Sequence, residues 1–247
     1  MRDAPRRDPR EPRTNGPALP TGAPALSVVV PALDEARTLP ALLDALRRGL
    51  RVPHEVIVAD GGSADGTVAL ARPLADAVLP SPPGRARQQN AGAAAAAGEV
   101  LLFLHADTRL PADADKRVAD GLGRSGRGWG RFDVRLSGRH PMLRVIERMM
   151  GLRSRLSGIA TGDQAIFVRR DWFRAVGGFP EIPLMEDVAL SKALKRRGRP
   201  LCLRETVTTS SRRWERRGVY RTMALMWRLR LAYWLGADPA ALADRYR

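Results

Sequence analysis

The chain has 247 residues, 44% of them hydrophobic, which is enough to bury one substantial core and favours a single large domain over two. Its one cysteine, Cys202, excludes an internal disulfide and indicates a cytoplasmic protein, and its three histidines are far apart in sequence and show no zinc-site spacing. The net charge is +16, and the 14 basic and 4 acidic residues over 195–247 favour an anionic partner, whether a diphosphate, a membrane or a nucleic acid.

Residues 1–24 are rich in arginine and proline and lack an apolar run, so we expect a disordered tail and not a signal peptide. The chain then alternates short β-branched runs with segments of helical periodicity. The predicted strands are 26–30, 55–59, 76–79 and 100–104, and the predicted helices are 38–50 and 84–98. The second helix has a small, Ala-rich face that allows close packing on a sheet. This alternation predicts βαβ units and an α/β fold with a parallel sheet.

Beyond His140 the pattern is less regular. We expect helices over 142–156 and 187–196, a strand over 164–168 and a basic C-terminal helix.

Acidic residues follow the predicted strands. Asp60 and Asp65 come after the second strand, Asp107 comes after the fourth, and Pro31 and Asp34 lie in the turn after the first. Because the carboxyl ends of parallel strands share one rim, where open α/β sheets bind ligands, we expect these carboxylates near a metal, a ribose or a nucleotide base. Three of the aspartates also have an ordinary structural explanation: Asp60 can close an Asx-turn, and Asp65 and Asp107 can cap the structure that follows them.

Five segments are notable for their order along the chain: Val28 to Glu35, Ala59 to Thr67, Asn90 to Glu99, His105 to Asp107, and Met185 to Asp187. In this order they resemble the motifs of family 2 glycosyltransferases with the GT-A fold. The resemblance implies a Rossmann-like nucleotide-diphospho-sugar transferase domain over 25–214, with a mostly parallel central sheet flanked by helices, followed by a C-terminal helical segment over 215–247. Residues 104–108 and 210–215 most resemble a small bacterial subgroup associated with arsenosugar biosynthesis.

The resemblance implies a divalent metal ion, Mg²⁺ or Mn²⁺, at residues 105–107. The family carries an Asp-x-Asp triplet there, whose last aspartate holds the cation that bridges the diphosphate of the donor. Asp107 keeps that last position, whereas His105 replaces the first aspartate. The nucleotide contact of the first position is therefore either lost or made by imidazole.

The resemblance also implies a set of residues around the nucleotide-diphospho-sugar. They are Pro31, Asp34, Asp60, Asp65, Arg85, Arg87, Asn90, Ala106, Asp163, Arg213 and Trp214. Arg85 and Arg87 can bind phosphate through their guanidinium groups or be solvated surface residues, and Asp163 either borders donor or acceptor or belongs to an ordinary turn.

Glu186 and Asp187 open a predicted helix. Acidic residues are common in a first helical turn, where they complement the helix dipole. In the resembling family the second acid of this pair is the general base that removes the proton of the acceptor hydroxyl. The resemblance therefore implies that Asp187 is the base of an inverting single displacement and that Glu186 supports it.

Residues 210–214 resemble the Gln-x-x-Arg-Trp element of processive synthases, with Ser210 in place of the glutamine. Arg213 is expected to reach the diphosphate, and Trp214 to stack on an acceptor. The missing glutamine and the absence of a predicted membrane span favour a single-transfer enzyme.

Two other classes of function are weighed against this one. A nucleotidyltransferase also binds nucleotide and metal on an α/β sheet, but it usually needs a Gly-rich loop with a basic residue near the first strand, and residues 31–34 are not such a loop. A basic module that binds nucleic acid or membrane fits the charge alone, but rim carboxylates would repel phosphate unless a metal intervened, so no nucleic-acid partner is expected.

The segment 219–235 combines apolar residues at helical spacing with a basic face that includes Arg221, Arg228 and Arg230. Such a helix either packs on the catalytic domain or lies on the inner face of the cell membrane, where it would suit a lipid-linked or lipophilic hydroxyl acceptor. The arginines interrupt the segment, so it is not predicted to span the membrane.

Overall fold

The computed structural model describes residues 24–246, so the predicted tail lies outside the described residues except for Pro24. The described chain folds around one eight-stranded sheet. Its strands are β1 (Leu26–Ala32), β2 (His54–Asp60), β3 (Ala77–Pro80), β4 (Val100–Phe103), β5 (Thr108–Arg109), β6 (Trp129–Leu136), β7 (Phe167–Arg169) and β8 (Leu201–Thr209). Their order across the sheet is β3-β2-β1-β4-β7-β6-β8-β5.

The helices lie between and after these strands. They are α1 (Leu39–Gly49), α2 (Thr67–Ala71), α3 (Arg85–Ala95), α4 (Ala114–Ser125), α5 (Pro141–Ser157), α6 (Arg170–Ala175), α7 (Glu186–Arg197), α8 (Arg212–Arg217), α9 (Val219–Trp234) and α10 (Pro239–Tyr246), with a 3₁₀ turn at Gly162–Gln164. The predicted α/β fold, with a central sheet flanked by helices, is confirmed.

The first half of the sheet is parallel, as predicted. Strand β1 pairs with β2 and β4, and β2 pairs with β3. Strand β1 continues through Pro31 to Ala32, two residues past its predicted end. Proline is tolerated there because β4 pairs with β1 only as far as Val29, so no β4 carbonyl needs an N–H at Pro31.

The second half is mixed. Strand β7 runs antiparallel between β4 and β6, β8 runs parallel to β6, and β5 pairs antiparallel with β8. Sequence periodicity does not predict β5, β6, β8 or α4. In β6 the charged residues Arg131 and Asp133 interrupt the apolar pattern, although Arg131 is fully buried. Most residues of β8 are only half-buried, so that strand has no strong apolar pattern either.

Helices cover both faces of the parallel half. Val28 and Val30 point into a core with α1 and α5, whereas Val29 points into a second core with α3 and α7. The predicted close packing of α3 is confirmed at Gly92, where a side chain would collide with Val29. This packing brings the start of α3 to the carboxyl ends of β1 and β2.

The predicted C-terminal helix is present as α9, and its apolar residues divide between two surroundings. Leu229 is buried in a small core with Leu242 of α10, whereas Tyr220, Trp227 and Trp234 are exposed, Trp234 by 74%. No helix within residues 24–246 is long and apolar enough to cross a membrane. The division into a domain ending at residue 214 and a separate helical segment stays a prediction.

Candidate functional site

A cavity of about 520 Å³ lies at the carboxyl ends of β1 and β4. Its lining, from strand ends, α3 and the segment after β8, includes Pro31, Ala32, Leu33, Arg85, Gln88, His105, Ala106, Asp107, Asp163, Thr209, Ser210, Arg213, Trp214 and Tyr246. We call this the main cavity. It brings together eight of the sequence-predicted site residues: Pro31, Arg85, His105, Ala106, Asp107, Asp163, Arg213 and Trp214.

Asp34, Asp60 and Asp65 are not among the residues that line the main cavity. They connect the loops after β1 and β2: the Asp60 carboxylate accepts hydrogen bonds from the amides of Gly62 and Ser63, and that of Asp34 accepts one from Ala64. Asp65 accepts from the amides of Ala36 and Thr67, and its pKa is lowered, chiefly by a hydrogen bond from the Thr67 hydroxyl. The turn and capping explanations therefore describe the contacts seen, and nucleotide binding by these three stays a prediction.

Three polar residues of α3 reach the segment that precedes the predicted base. Asn90 bonds the backbone of Phe179 through both its amide nitrogen and its oxygen, and Arg87 pairs with Glu181 on the surface at 3.1 Å. Arg85 lines the main cavity and pairs with Glu186 at 3.4 Å. Enclosure would lower the pKa of Arg85, but the facing carboxylates, Glu186 foremost, raise it above its ordinary value. Nucleotide contacts of Arg87 and Asn90 stay predictions.

Asp107 is suited to a divalent cation that is shared with a phosphate. Its carboxylate lines the main cavity, and its contacts with the hydroxyls of Thr108 and Thr209 are long, 3.5 and 3.4 Å. No group of three His, Cys, Asp or Glu residues within 24–246 could hold a metal alone. Mg²⁺ is usually held by one or two carboxylates together with substrate phosphates, so the residues present fit the implied metal.

His105 faces Asp163 across the floor of the main cavity. Its Nδ1 lies 3.6 Å from Oδ1 of Asp163, and its Nε2 is buried without a partner in the described structure. Enclosure would raise the pKa of Asp163, but the interaction with His105 and the charges of Arg85 and Arg230 outweigh it and lower that pKa. Asp163 is therefore held ionised, and Nδ1 of His105 is directed to a carboxylate. Metal binding by His105 stays a prediction.

The predicted base lies in a second, smaller cavity of about 90 Å³, the base pocket. The backbone amide of Gly162 donates to Oδ2 of Asp187 at 2.7 Å, and a side-chain carbon at Gly162 would lie only 2.7 Å from Nε2 of His105. The turn at Gly162 thus passes between His105 and Asp187. Asp163 lines both the base pocket and the main cavity, so the predicted metal and base residues border connected space.

Glu186 is buried, with 4% of its side chain exposed. Burial raises its pKa, and the adjacent charge of Asp187 raises it further, against the opposing effect of Arg85. A buried carboxyl group that takes up a proton readily, beside a second carboxylate in a cavity, is typical of functional sites.

Among the residues of the main cavity that sequence reasoning missed, Tyr246 and Gln88 make specific polar contacts. Tyr246 lines the main cavity and lies under the Arg213 guanidinium, 3.7 Å from its ring centre, and Gln88 donates to the carbonyls of Ala32 and Ala59. Neither residue belongs to a recognisable motif. A tyrosine near residue 246 and a glutamine inside a small-residue helix carry no signal of their position before the fold is known.

Comparison with known proteins identifies similar chains. The family model described as glycosyl transferase family 2 matches residues 27–176. Relatives named PGL/p-HBAD biosynthesis glycosyltransferase, from Mycobacterium bovis and Mycobacterium tuberculosis, are 36% identical over 109 residues. That match covers 41% of this chain and 43% of each relative, so the chain matches less than half the length of these curated relatives. Their names do not refer to arsenosugars and give the narrower subgroup resemblance no support.

Solved structures share the fold. Residues 1–349 of S. aureus TarS superpose with a TM-score of 0.63 at 20% identity, over 75% of this chain and 60% of that one. The mannosyltransferase PcManGT from Pyrobaculum calidifontis superposes with a TM-score of 0.62 at 24% identity, over 96% of this chain and 68% of that one. Likeness at these identities establishes the fold, which is GT-A.

The raised pKa of Glu186 predicts a pH-dependent gain in stability for Glu186→Gln. The folded protein binds a proton at Glu186 more readily than the unfolded chain, so this group's contribution is fully present below its ordinary pKa near 4.5 and is lost as pH rises through the raised value. Glu186→Gln should therefore raise the melting temperature, relative to the wild type, by a few degrees more at pH 8 than at pH 5.

The matched control is Glu181→Gln, because Glu181 is 58% exposed. Its melting temperature should follow that of the wild type at both pH values. If the difference in melting temperature between Glu186→Gln and the wild type is the same at pH 5 and pH 8, the pKa of Glu186 is not raised in the folded protein.

Proposed function

This chain belongs to glycosyl transferase family 2 and is a glycosyltransferase, and from that premise we propose that it moves a sugar from a nucleotide-diphosphate donor to a hydroxyl acceptor with inversion. The observation that carries the proposal is the connection, through Asp163, of a cavity lined by Asp107, Arg85 and Arg213 with a pocket lined by Asp187. A nucleotidyltransferase or a non-catalytic binding module does not explain this arrangement, and the family match does not favour either.

The main cavity is large enough for a nucleotide-diphospho-sugar, since ligand pockets commonly measure about 300–1,000 Å³. Arg85 and Arg213 face this space and can bind the diphosphate. Asp107, with the donor phosphates, would hold Mg²⁺ or Mn²⁺, which when bound neutralises charge on the diphosphate. PcManGT was solved with GDP-Man and Mn²⁺ and TarS with UDP-GlcNAc, which supports this class of donor.

The reaction follows from the position of Asp187. The acceptor oxygen attacks the anomeric carbon and forms the glycosidic bond, while Asp187 accepts the hydroxyl proton. The bond from the anomeric carbon to the diphosphate oxygen breaks, and its electron pair leaves with the nucleoside diphosphate. One displacement inverts the anomeric configuration. The hydrogen bond from the Gly162 amide orients the Asp187 carboxylate for this role.

A single-transfer enzyme fits this chain better than a processive synthase. Ser210 lines the main cavity at the position where the processive element carries glutamine, and Trp214 borders the same space. The acceptor hydroxyl would approach from the side of the base pocket.

Asp107→Ala should lower the rate of nucleoside diphosphate release by at least about 100-fold with the fold intact, because it removes the carboxylate expected to hold the cation. The donor is first found from melting shifts with Mn²⁺ and UDP-, GDP- and dTDP-sugars. Asp44→Ala, at an aspartate of α1 whose side chain is 43% exposed, is the control and should keep full activity. Wild-type activity that is undiminished in EDTA would remove Asp107 from the metal role.

Asp187→Asn should keep donor binding but lose turnover by about 10²- to 10⁴-fold, because an amide cannot accept the hydroxyl proton. Asp171→Asn, an exposed aspartate in the first turn of α6, is the matched control and should behave like the wild type. If Asp187→Asn stays fast while Glu186→Gln is inactive, the two acids have the opposite roles.

We further propose that the enzyme attaches peripherally to anionic membranes. On α9, Tyr220, Trp227, Leu231 and Trp234 are exposed on one side, and Val145, Met149, Leu152 and Leu156 form an exposed stripe along α5. Exposed arginines of α9, Arg221 and Arg228, would face lipid headgroups. This arrangement would suit a lipophilic acceptor made in or near the membrane, and a cytoplasmic location at its inner face.

Flotation tests this attachment. The full chain should rise with anionic liposomes at physiological salt, whereas Trp227→Ser/Trp234→Ser should remain at the bottom because its apolar anchors are lost. Leu70→Ser, at a residue of α2 that is 45% exposed, should float like the wild type. A wild-type protein that stays at the bottom would leave α9 a purely structural role.

A further inference from the structure

A third cavity, of about 180 Å³, lies between α5 and α9. We call it the α5–α9 cavity. It is lined by Ile146, Met149, Met150, Arg153, Asp163, Trp214, Met223, Met226, Trp227 and Arg230. Four of these residues are methionines, whose flexible side chains adapt to ligands of different shapes. The lining is thus apolar and adaptable, with charged groups from only three residues.

The α5–α9 cavity meets the two cavities already described. Asp163 and Met226 line all three, Arg230 also lines the base pocket, and Trp214 also lines the main cavity. A group bound in the α5–α9 cavity would therefore lie beside both the donor and Asp187. This is the position of the part of an acceptor that adjoins its reacting hydroxyl.

The charges of the α5–α9 cavity are unbalanced. In the described structure, Nε and Nη2 of Arg153 are buried and have no hydrogen-bond partner. Burial lowers the pKa of Arg153 to about 10, which still leaves it charged at neutral pH. Asp163 is the only carboxylate in the lining, and it faces His105. Two guanidinium groups, of Arg153 and Arg230, therefore share this space with one carboxylate that is already engaged.

Helix α5, which carries Arg153, also provides hydrogen-bond partners for a second buried arginine. The guanidinium of Arg131, from β6, is fully buried and donates to the Ser154 hydroxyl at 2.8 Å, to the Gly151 carbonyl at 3.2 Å and to Asp133. Arg153 lies between those two α5 residues in sequence but has no such partners. A buried cation without an anion is costly, so a ligand that supplies the anion would gain affinity there.

The volume limits the apolar part of that ligand. An apolar cavity of about 150 Å³ holds benzene, so about one phenyl ring or a short alkyl chain fits here. Met149 and Trp227 line the cavity and are also exposed, by 48% and 54%. A longer chain can therefore leave between them over the exposed stripes of α5 and α9.

Building on the proposed function, we propose that the α5–α9 cavity is the acceptor site and that the acceptor is an anionic amphiphile. Its carboxylate or phosphate group binds Arg153 and Arg230 beside the reacting hydroxyl. The part of its apolar group that enters the cavity is about the size of a phenyl ring and lies among the methionines and Trp214.

The experiment is calorimetric titration of the full chain, without donor or metal, with phenyl phosphate, benzoate, benzyl alcohol and inorganic phosphate. At least one anionic aromatic should bind the wild type at least tenfold more tightly than benzyl alcohol or inorganic phosphate. Comparing phenyl phosphate with benzoate identifies which anion is preferred. Arg153→Met should weaken that binding at least tenfold and leave benzyl alcohol unchanged, and its melting temperature should not fall, because a buried unpaired charge has been removed.

Arg148→Met, at an exposed position of the same helix, is the matched control and should bind all four probes like the wild type. Equal affinity of phenyl phosphate and benzoate for the wild type and Arg153→Met would overturn the inference, and so would a loss that follows Arg85→Met instead. Because no donor is present, the result is independent of catalysis. A protein that transfers sugar but binds these anions no better than benzyl alcohol contradicts this inference alone, whereas Arg153-dependent binding without any transfer contradicts the proposed function.

Discussion

The candidate site depends on one hydrogen bond, from the backbone amide of Gly162 to the carboxylate of Asp187 at 2.7 Å. It joins the turn before β7 to the first turn of α7, which are otherwise separate in sequence. The turn can pass there only because residue 162 has no side chain, since His105 fills the space beside it. The next residue, Asp163, then reaches the junction of the three cavities. This backbone contact therefore links the position of Asp187 to that of the carboxylate facing His105 and to the cavity junction.

Several non-glycine residues around this contact adopt left-handed backbone conformations, which residues with a side chain seldom adopt. Asp34, Ala165 and Met185 have positive φ angles of 53°, 46° and 69°, and each lies next to a loop that forms the site. Such conformations cost about 1–3 kcal/mol each and persist where surrounding contacts enforce them. The side-chain amide of Asn90 forms hydrogen bonds with both the N–H and the carbonyl group of Phe179, a few residues before Met185. Residues of α3 thus contribute to the site by fixing the segment that leads to Asp187, the proposed base.

The sequence predicts the half of the fold in which local pattern and burial agree. The strands β1 to β4 are apolar runs, and acidic residues end or follow β1, β2 and β4, so both the strands and their shared rim could be inferred. Residues 105–107 come shortly after β4. Strand β6 could not be inferred, because its buried Arg131 pairs with Asp133 and interrupts the apolar pattern, and β8 could not, because most of its residues are only half-buried. Whether Asp60 contacts a ligand or closes a turn depends on side-chain direction, which spacing does not determine.

Asp163 and Glu186, two acids of the site, differ in the protonation state that their surroundings favour. Nearby cations keep Asp163 ionised, whereas burial and the charge of Asp187 favour the protonated form of Glu186. Two adjacent carboxylates in an enclosed space resist carrying charge together, so the charge of Asp187 adds to burial in favouring a proton on Glu186. Arg85 lies near both acids and lines the main cavity. The diphosphate of the proposed donor would therefore compete with Glu186 for the Arg85 guanidinium. A diphosphate bound there would thereby weaken the interaction that opposes protonation of Glu186.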